Sequence, residues 1–126
     1  MSKILVVDDD PDFVEIVRTI LKTDGHEVTT AANGDQALKR MREQKPDLVL
    51  LDIMMSYVLD GLDVTRKMWE DPALRKIPVI MVTSLTATRE AAMFPSDEHM
   101  SIDDWISKPV KPTDLRERVS RLLARK

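Results

Sequence analysis

The fold of this chain depends on five residues, Leu48-Val49-Leu50-Leu51-Asp52, in which four apolar side chains stand directly before a carboxylate. The same pattern occurs twice more, in Ile4-Leu5-Val6-Val7 before Asp8-Asp9 and in Val79-Ile80-Met81-Val82 before Thr83. A continuous apolar run of this length is typical of a strand buried on both faces, as in a parallel sheet covered by helices. The three runs therefore predict the central strands of an α/β sheet.

Two more polar segments, His26–Thr30 and Asp104–Ser107, are predicted as edge strands. Most of the intervals between strands carry helical patterns. The first helix is predicted to begin at Asp10-Pro11, an N-cap followed by proline, and the second at Asn33 with Gln36, as in a capping box. Three further helices are predicted around Val64 and Met68, from near Thr86 to before Pro95, and along Leu115, Val119, Leu122 and Leu123. Alternating strands and helices predict a doubly wound α/β fold, with residues 1–126 as a single domain.

The composition excludes several classes of protein. The 126 residues are 43% hydrophobic and 33% charged, which is typical of a globular chain, and no apolar run approaches the length of a membrane span. The net charge is −3, so no basic face for nucleic acid is expected. Cysteine is absent, which excludes disulfides and thiolate metal sites and suits the cytoplasm. We therefore expect a cytoplasmic domain that contacts neither a membrane nor nucleic acid directly.

Polar side chains follow the predicted strands at their carboxyl ends, where open parallel sheets bind their ligands. They are Asp8 and Asp9, Asp52, Thr83 and Lys108. Carboxylates held close together repel one another and favour a cation, and oxygen ligands without Cys or His suit Mg²⁺. A lysine and a hydroxyl in the same cleft are suitable donors to phosphoryl oxygens, and an aspartate beside a metal is a competent nucleophile. The pattern indicates phosphoryl chemistry.

Four of these segments, taken in order, resemble the signature set of the receiver domains of two-component response regulators. They are Val6-Val7-Asp8-Asp9, Leu51-Asp52, Val82-Thr83-Ser84 and Lys108-Pro109. The resemblance covers almost the whole chain. It implies a flavodoxin-like fold, with a five-stranded parallel sheet in the order 2-1-3-4-5 and helices on both faces. It also implies that Asp52 accepts the phosphoryl group.

The resemblance further implies a metal site. Asp9 would be a direct Mg²⁺ ligand and Asp8 would hold the ion mainly through water. Asp52 and the backbone carbonyl of Met54 would complete the ligands from the protein.

A switch is implied as well. Thr83 would move to bond the phosphoryl group, Lys108 would pair with it, and Trp105 occupies the position of an aromatic residue that changes rotamer on activation. The peptide bond before Pro109 is expected to be cis.

By the same resemblance, the protein is expected to act as a signalling domain rather than an enzyme. Its phosphodonor would be a sensor histidine kinase or a histidine phosphotransfer protein, and its downstream protein target is unknown. We expect a stand-alone domain that is a monomer or a weak, phosphorylation-dependent dimer. Met54 and Leu85 would flank the path of the hydrolytic water, and because neither side chain holds water well, self-dephosphorylation is expected to be slow.

Two alternatives stay open on the sequence alone. One is an interaction module that keeps the fold without being phosphorylated. The other is a haloacid dehalogenase-type phosphatase, in which Asp8 would be the nucleophile and Asp10 its partner. The chain also departs from the receiver pattern, because Ser56 replaces a usual proline, Asp60-Gly61 comes one residue late, and the segment from Thr83 to Lys108 is longer than usual.

Overall fold

The computed structural model describes residues 2–52, 60–83, 104–107 and 110–124. Five parallel strands form one sheet, and they are β1 (Lys3–Val7), β2 (Glu27–Ala31), β3 (Leu48–Asp52), β4 (Val79–Thr83) and β5 (Asp104–Ser107). The helices of the described residues are α1 (Pro11–Thr23), α2 (Gly34–Gln44), α3 (Asp60–Glu70) and α4 (Pro112–Ala124). The predicted helix between Thr86 and Pro95 lies outside the described residues.

The strand order is β2-β1-β3-β4-β5, which confirms the predicted sheet and its two edge strands. The strand predicted from His26 begins one residue later, at Glu27. Consecutive strands in sequence are parallel, so every crossover returns the chain to the same end of the sheet. All five carboxyl ends therefore lie along one edge, which is the edge that carries the polar residues.

The apolar runs alternate between the two faces of the sheet, and each face has its own core. On one face Leu51 and Met81 pack with residues of α2 and α3, and on the other Leu50 and Ile80 pack with residues of α1 and α4. The four apolar residues of each central strand are at most 1% exposed. The continuous runs are thus explained by burial on both faces, as predicted.

The first two helices begin where their capping residues predict. The Asp10 side chain accepts a hydrogen bond from the backbone N–H of Asp12 at 3.0 Å, and Asn33 accepts one from Gln36 at 2.9 Å. Gln36 Oε1 accepts from the backbone N–H of Ala32 at 3.0 Å, one residue before the N-cap. The capping box is therefore present with a slightly longer reach, and it holds the start of α2 against the end of β2.

Helix α4 is held to its neighbours by arginines. Arg118 donates to Asp104, at the start of β5, at 2.6 Å and to Asp114 at 2.9 Å. Its hydrogen bond to Asp114 raises the pKa of Arg118, as do the bond and charge of Asp104, while burial acts in the opposite direction. Arg116 forms two contacts with Asp24, the C-cap of α1, at 2.8 and 2.9 Å. Among the described helices, none is both long and apolar enough to cross a bilayer.

Candidate functional site

Three carboxylates meet at the carboxyl edge of β1 and β3, two of the three central strands. Val7 pairs with Leu51, so Asp8 and Asp52 come directly after paired positions, and Asp9 follows Asp8. One carboxylate oxygen from each of the three lies within 4.8 Å of the others. Asp8 and Asp52 are only 3% and 4% exposed, whereas Asp9 is exposed. The structure thus brings together the three acidic residues that the sequence indicated.

The backbone fixes Asp8 from two sides. Its N–H donates to Ala31 at 3.1 Å, which extends the β1–β2 pairing one residue beyond the strand. One of its carboxylate oxygens, Oδ1, accepts the N–H of Asp10 at 2.9 Å. Because the Asp10 side chain in turn caps α1, the start of that helix positions the Asp8 carboxylate.

The donor set fits a hard divalent cation. Burying two carboxylates next to a third is costly unless positive charge or hydrogen bonds compensate. Mg²⁺ takes oxygen ligands at about 2.1 Å in an octahedron, so its ligand oxygens lie roughly 3 to 4.2 Å apart. A cluster within 4.8 Å needs only a small closure to reach that spacing. The residues present therefore match the ion that the sequence predicted.

The other predicted site residues are described in part or lie outside the described residues. Thr83 ends β4 and its backbone pairs with Ser107 at the end of β5, so it stands at the same edge of the sheet. Trp105 lies in β5 opposite Met81. Met54, Lys108 and Pro109 lie outside the described residues, and their predicted roles stay predictions.

A cleft of about 450 Å³ opens beside the carboxylates, and Arg40, one of the residues that line it, was not identified from the sequence. Asp8 and Asp9 line it together with the first turns of α1, the end of β2 and two residues of α2, Gln36 and Arg40. Arg40 follows Gln36 by four residues, so both side chains lie on one helix face and point towards its N-terminus. The four-residue spacing from Gln36 is the feature of the sequence that could have identified Arg40 as a residue of this cleft.

Comparison with known proteins decides the family. The family model described as "Response regulator receiver domain" matches residues 4–120. This chain belongs to the response regulator receiver family. It is a phosphoacceptor domain of two-component systems, and members of the family are signalling domains that interact with histidine kinases rather than classical enzymes.

The receiver domain has relatives of several architectures. It is 37% identical over 124 residues to the DNA-binding response regulator MtrA of Mycolicibacterium smegmatis, covering 98% of this chain and 51% of the relative. It is similar to the solved receiver domain of a Syntrophus aciditrophicus histidine kinase, with 35% identity, coverage of 98% and 91%, and a TM-score of 0.85.

A third relative bears on the metal. The receiver domain of a Pseudomonas aeruginosa sensor histidine kinase was solved with a magnesium ion coordinated in its active-site cleft. It is 29% identical to this chain, covers 98% of both chains and has a TM-score of 0.83. The Asp8–Asp9–Asp52 cluster is an acidic group that could hold a metal ion.

Proposed function

We propose that Asp52 accepts a phosphoryl group from a phosphohistidine of a sensor kinase or a phosphotransfer protein. The observation that carries this proposal is the meeting of Asp52 with Asp8 and Asp9, whose carboxylate oxygens lie within 4.8 Å of one another at the ligand-binding edge of the sheet. An aspartate in such a place can act as a nucleophile once a cation offsets the neighbouring negative charge.

The reaction is a transfer between two protein side chains. A carboxylate oxygen of Asp52 attacks the phosphorus, forming an acyl phosphate, and the bond from phosphorus to the donor nitrogen breaks. The electron pair of that bond stays on the imidazole, which leaves neutral if its other ring nitrogen is already protonated and otherwise takes up a proton as it leaves. No oxidant or further co-reactant is needed. Small acyl phosphates would react in the same way, with a carboxylate as the leaving group.

We assign the metal to Asp8, Asp9 and Asp52, with the Met54 carbonyl as the predicted fourth contact from the protein. When bound, Mg²⁺ supplies positive charge that neutralises the phosphoryl oxygens. In this site, the role of the protein is to hold the three carboxylates close together. Asp10 does so for Asp8 through its backbone N–H at 2.9 Å.

The surface change after phosphorylation is assigned to strands β4 and β5. A phosphoryl group adds close to two negative charges and three acceptor oxygens, which attract a hydroxyl and an ammonium at the same sheet edge. Thr83 and Lys108 are predicted to supply those groups. Since Thr83 pairs with Ser107 through the backbone, a shift at the end of β4 reaches the strand that contains Trp105.

The phosphatase alternative is disfavoured by the hydrogen bonding of Asp10. In that alternative Asp10 would serve the reaction beside Asp8, yet its side chain accepts from the N–H of Asp12 and caps α1. Its carboxylate is thus already used for structure. The two functions predict different labelled residues, Asp52 for a receiver and Asp8 for a hydrolase.

The partners follow from the reaction and from the relatives. We propose a histidine kinase or phosphotransfer protein upstream and a protein target downstream. MtrA is named as a DNA-binding regulator, and this chain spans about half of its length. For residues 1–126 we propose no direct contact with nucleic acid, because the net charge of −3 opposes it. We also propose that the protein is cytoplasmic, that it acts as a separate domain and that it dephosphorylates itself slowly.

The experiment is labelling with acetyl phosphate in the presence and absence of Mg²⁺, measured as the mass of the intact protein. Wild type should gain one phosphoryl group only with Mg²⁺. Asp52→Asn should gain none, because an amide is not a competent nucleophile. Asp35→Asn is the matched control, since Asp35 is an exposed acidic residue in the first turn of α2, outside the cluster, and it should label as wild type does. Full labelling of Asp52→Asn would refute the assignment.

A further inference from the structure

Arg40 differs from the other arginines whose contacts are described. Its Nε lies buried without a hydrogen-bond partner among the described residues. Arg116 and Arg118, in contrast, each contact a carboxylate at 2.9 Å or less. A buried guanidinium N–H without an acceptor is unfavourable, so a residue kept in this state suggests a use for its charge.

The position of Arg40 indicates what that use is. Arg40 lines the same cleft of about 450 Å³ as Asp8 and Asp9. Across this cleft the positive charge of Arg40 acts on the two carboxylates. The capping bonds of Asn33 and Gln36 fix the start of α2, the helix that contains Arg40. The guanidinium thus supplies a positive charge in the cleft beside the acidic cluster.

We propose that Arg40 tunes the cation affinity of the Asp8–Asp9–Asp52 cluster. This inference rests on the proposed function, because it concerns the same metal site. Without a metal, the Arg40 charge offsets part of the repulsion among the carboxylates and stabilises the fold. With a divalent cation in the cluster, the same charge opposes binding. One side chain therefore lowers Mg²⁺ affinity and raises the stability of the metal-free protein.

These two effects have opposite signs, which distinguishes tuning from a merely structural role. Loss of a structural contact would weaken the fold and would weaken or leave unchanged the binding of metal. Loss of the Arg40 charge should weaken the metal-free fold and tighten metal binding. Because the interaction crosses solvent, salt should screen it over a Debye length of about 8 Å at physiological ionic strength.

The experiment is a Mg²⁺ titration of the full chain, followed by backbone amide shifts in NMR at low ionic strength. Arg40→Gln removes the charge, Arg40→Lys keeps it, and Arg40→Met is a second neutral variant. Lys39→Gln is the matched control, since it removes one positive charge from the next residue of α2, which is exposed and does not line the cleft.

We expect Arg40→Gln and Arg40→Met to bind Mg²⁺ roughly two- to fivefold more tightly than wild type, as Coulomb energies across a solvated cleft imply. Arg40→Lys should remain close to wild type and Lys39→Gln should change less than twofold. The gain should shrink on addition of salt. In EDTA, both neutral variants should melt at a lower temperature than Lys39→Gln.

The inference is overturned if Arg40→Gln and Arg40→Met bind Mg²⁺ no more tightly than Lys39→Gln. That result would leave the labelling of Asp52 untouched, so the proposed function would survive it. A wild type that binds no Mg²⁺ would overturn the metal site and this inference together. The labelling experiment with Asp52→Asn still tests the phosphoacceptor separately.

Discussion

The carboxyl edge of β1 and β3 and the surface of α4 use acidic residues in opposite ways. At the edge, Asp8, Asp9 and Asp52 are gathered within 4.8 Å, so like charges face one another. On α4, acidic residues are placed against arginines, with Asp104 and Asp114 on Arg118 and Asp24 on Arg116. The acidic cluster at the edge contains electrostatic repulsion between like charges. The ion pairs of α4 connect elements that are distant in sequence.

The difference shows which region supports the fold and which supports the chemistry. In an ion pair, each charge is offset by its partner inside the protein, so little charge remains available to bind a ligand. A cluster of like charges keeps part of its repulsion inside the protein, and a cation from outside can relieve it. The site sits on β1 and β3, two strands whose apolar residues are buried and whose packing can tolerate the repulsion. Three predictions test this contrast, from the largest expected effect to the smallest.

The first prediction concerns Arg118, which is half-buried and contacts two carboxylates. Arg118→Ala should lower the free energy of unfolding by about 2 kcal/mol, since charge-assisted hydrogen bonds of partly buried groups are lost. The pKa of Arg118 is raised, so its charge persists throughout the working pH range. A change of pH in that range therefore cannot remove the charge as the substitution does. Urea unfolding at neutral pH measures the change.

The control is Arg121→Ala, on the same helix. Arg121 contacts Glu117 at 3.3 Å, and both side chains are well exposed. Its loss should cost no more than about 0.5 kcal/mol. Equal effects of the two variants would show that α4 is not held by the Arg118 contacts.

The second prediction concerns the repulsion among the carboxylates. In EDTA, Asp52→Asn should be more stable than wild type by about 1 kcal/mol, because one of three clustered charges is removed. Millimolar Mg²⁺ should stabilise wild type by a similar amount and Asp9→Asn much less, because ligand binding to the native state raises its stability. Thermal melts with and without Mg²⁺ measure both. A wild type that is more stable than Asp52→Asn in EDTA would contradict stored repulsion.

The third prediction concerns Asp24 and Arg116. The Arg116 side chain is 51% exposed, so its two contacts with Asp24 are screened by solvent. A double-mutant cycle with Asp24→Ala and Arg116→Ala should give a coupling energy of about 0.5 kcal/mol, falling with added salt. A coupling energy several times larger and insensitive to salt would contradict this expectation. It would show that the Asp24–Arg116 pair, like the contacts of Arg118, is a major attachment of α4.

Most of the fold could be predicted because its determinants are local. The apolar runs Ile4–Val7, Leu48–Leu51 and Val79–Val82 indicate two-sided burial wherever they occur, and their strands are confirmed. The N-cap at Asp10 and the capping box at Asn33 depend on neighbours within four residues, and both are present. The start of β2 was wrong by one residue, since strand ends depend on pairing with Ser2 and Lys3 of the adjacent chain segment.

The candidate site was predicted in part for the same reason. The carboxylates at the ends of β1 and β3 are visible in the sequence, and parallel pairing brings these ends together. The sequence could not show that Arg40 lines the same cleft as Asp8 and Asp9, since α2 is placed by packing on the sheet and not by any local pattern. Nor could it show that Asp10 holds the Asp8 carboxylate through its backbone N–H at 2.9 Å.

The sequence by itself thus determined which segments form strands, where the first two helices begin and which end of the sheet carries the acidic residues, because burial and capping depend on residues close together in the chain. Only the tertiary structure decided which charges meet. Asp24 and Arg116 are separated by 92 positions in the chain and are joined by two contacts, whereas the Nε of Arg40 has no hydrogen-bond partner among the described residues. Charge interactions depend on distance in space, and that distance is set only when the helices pack on both faces of the sheet.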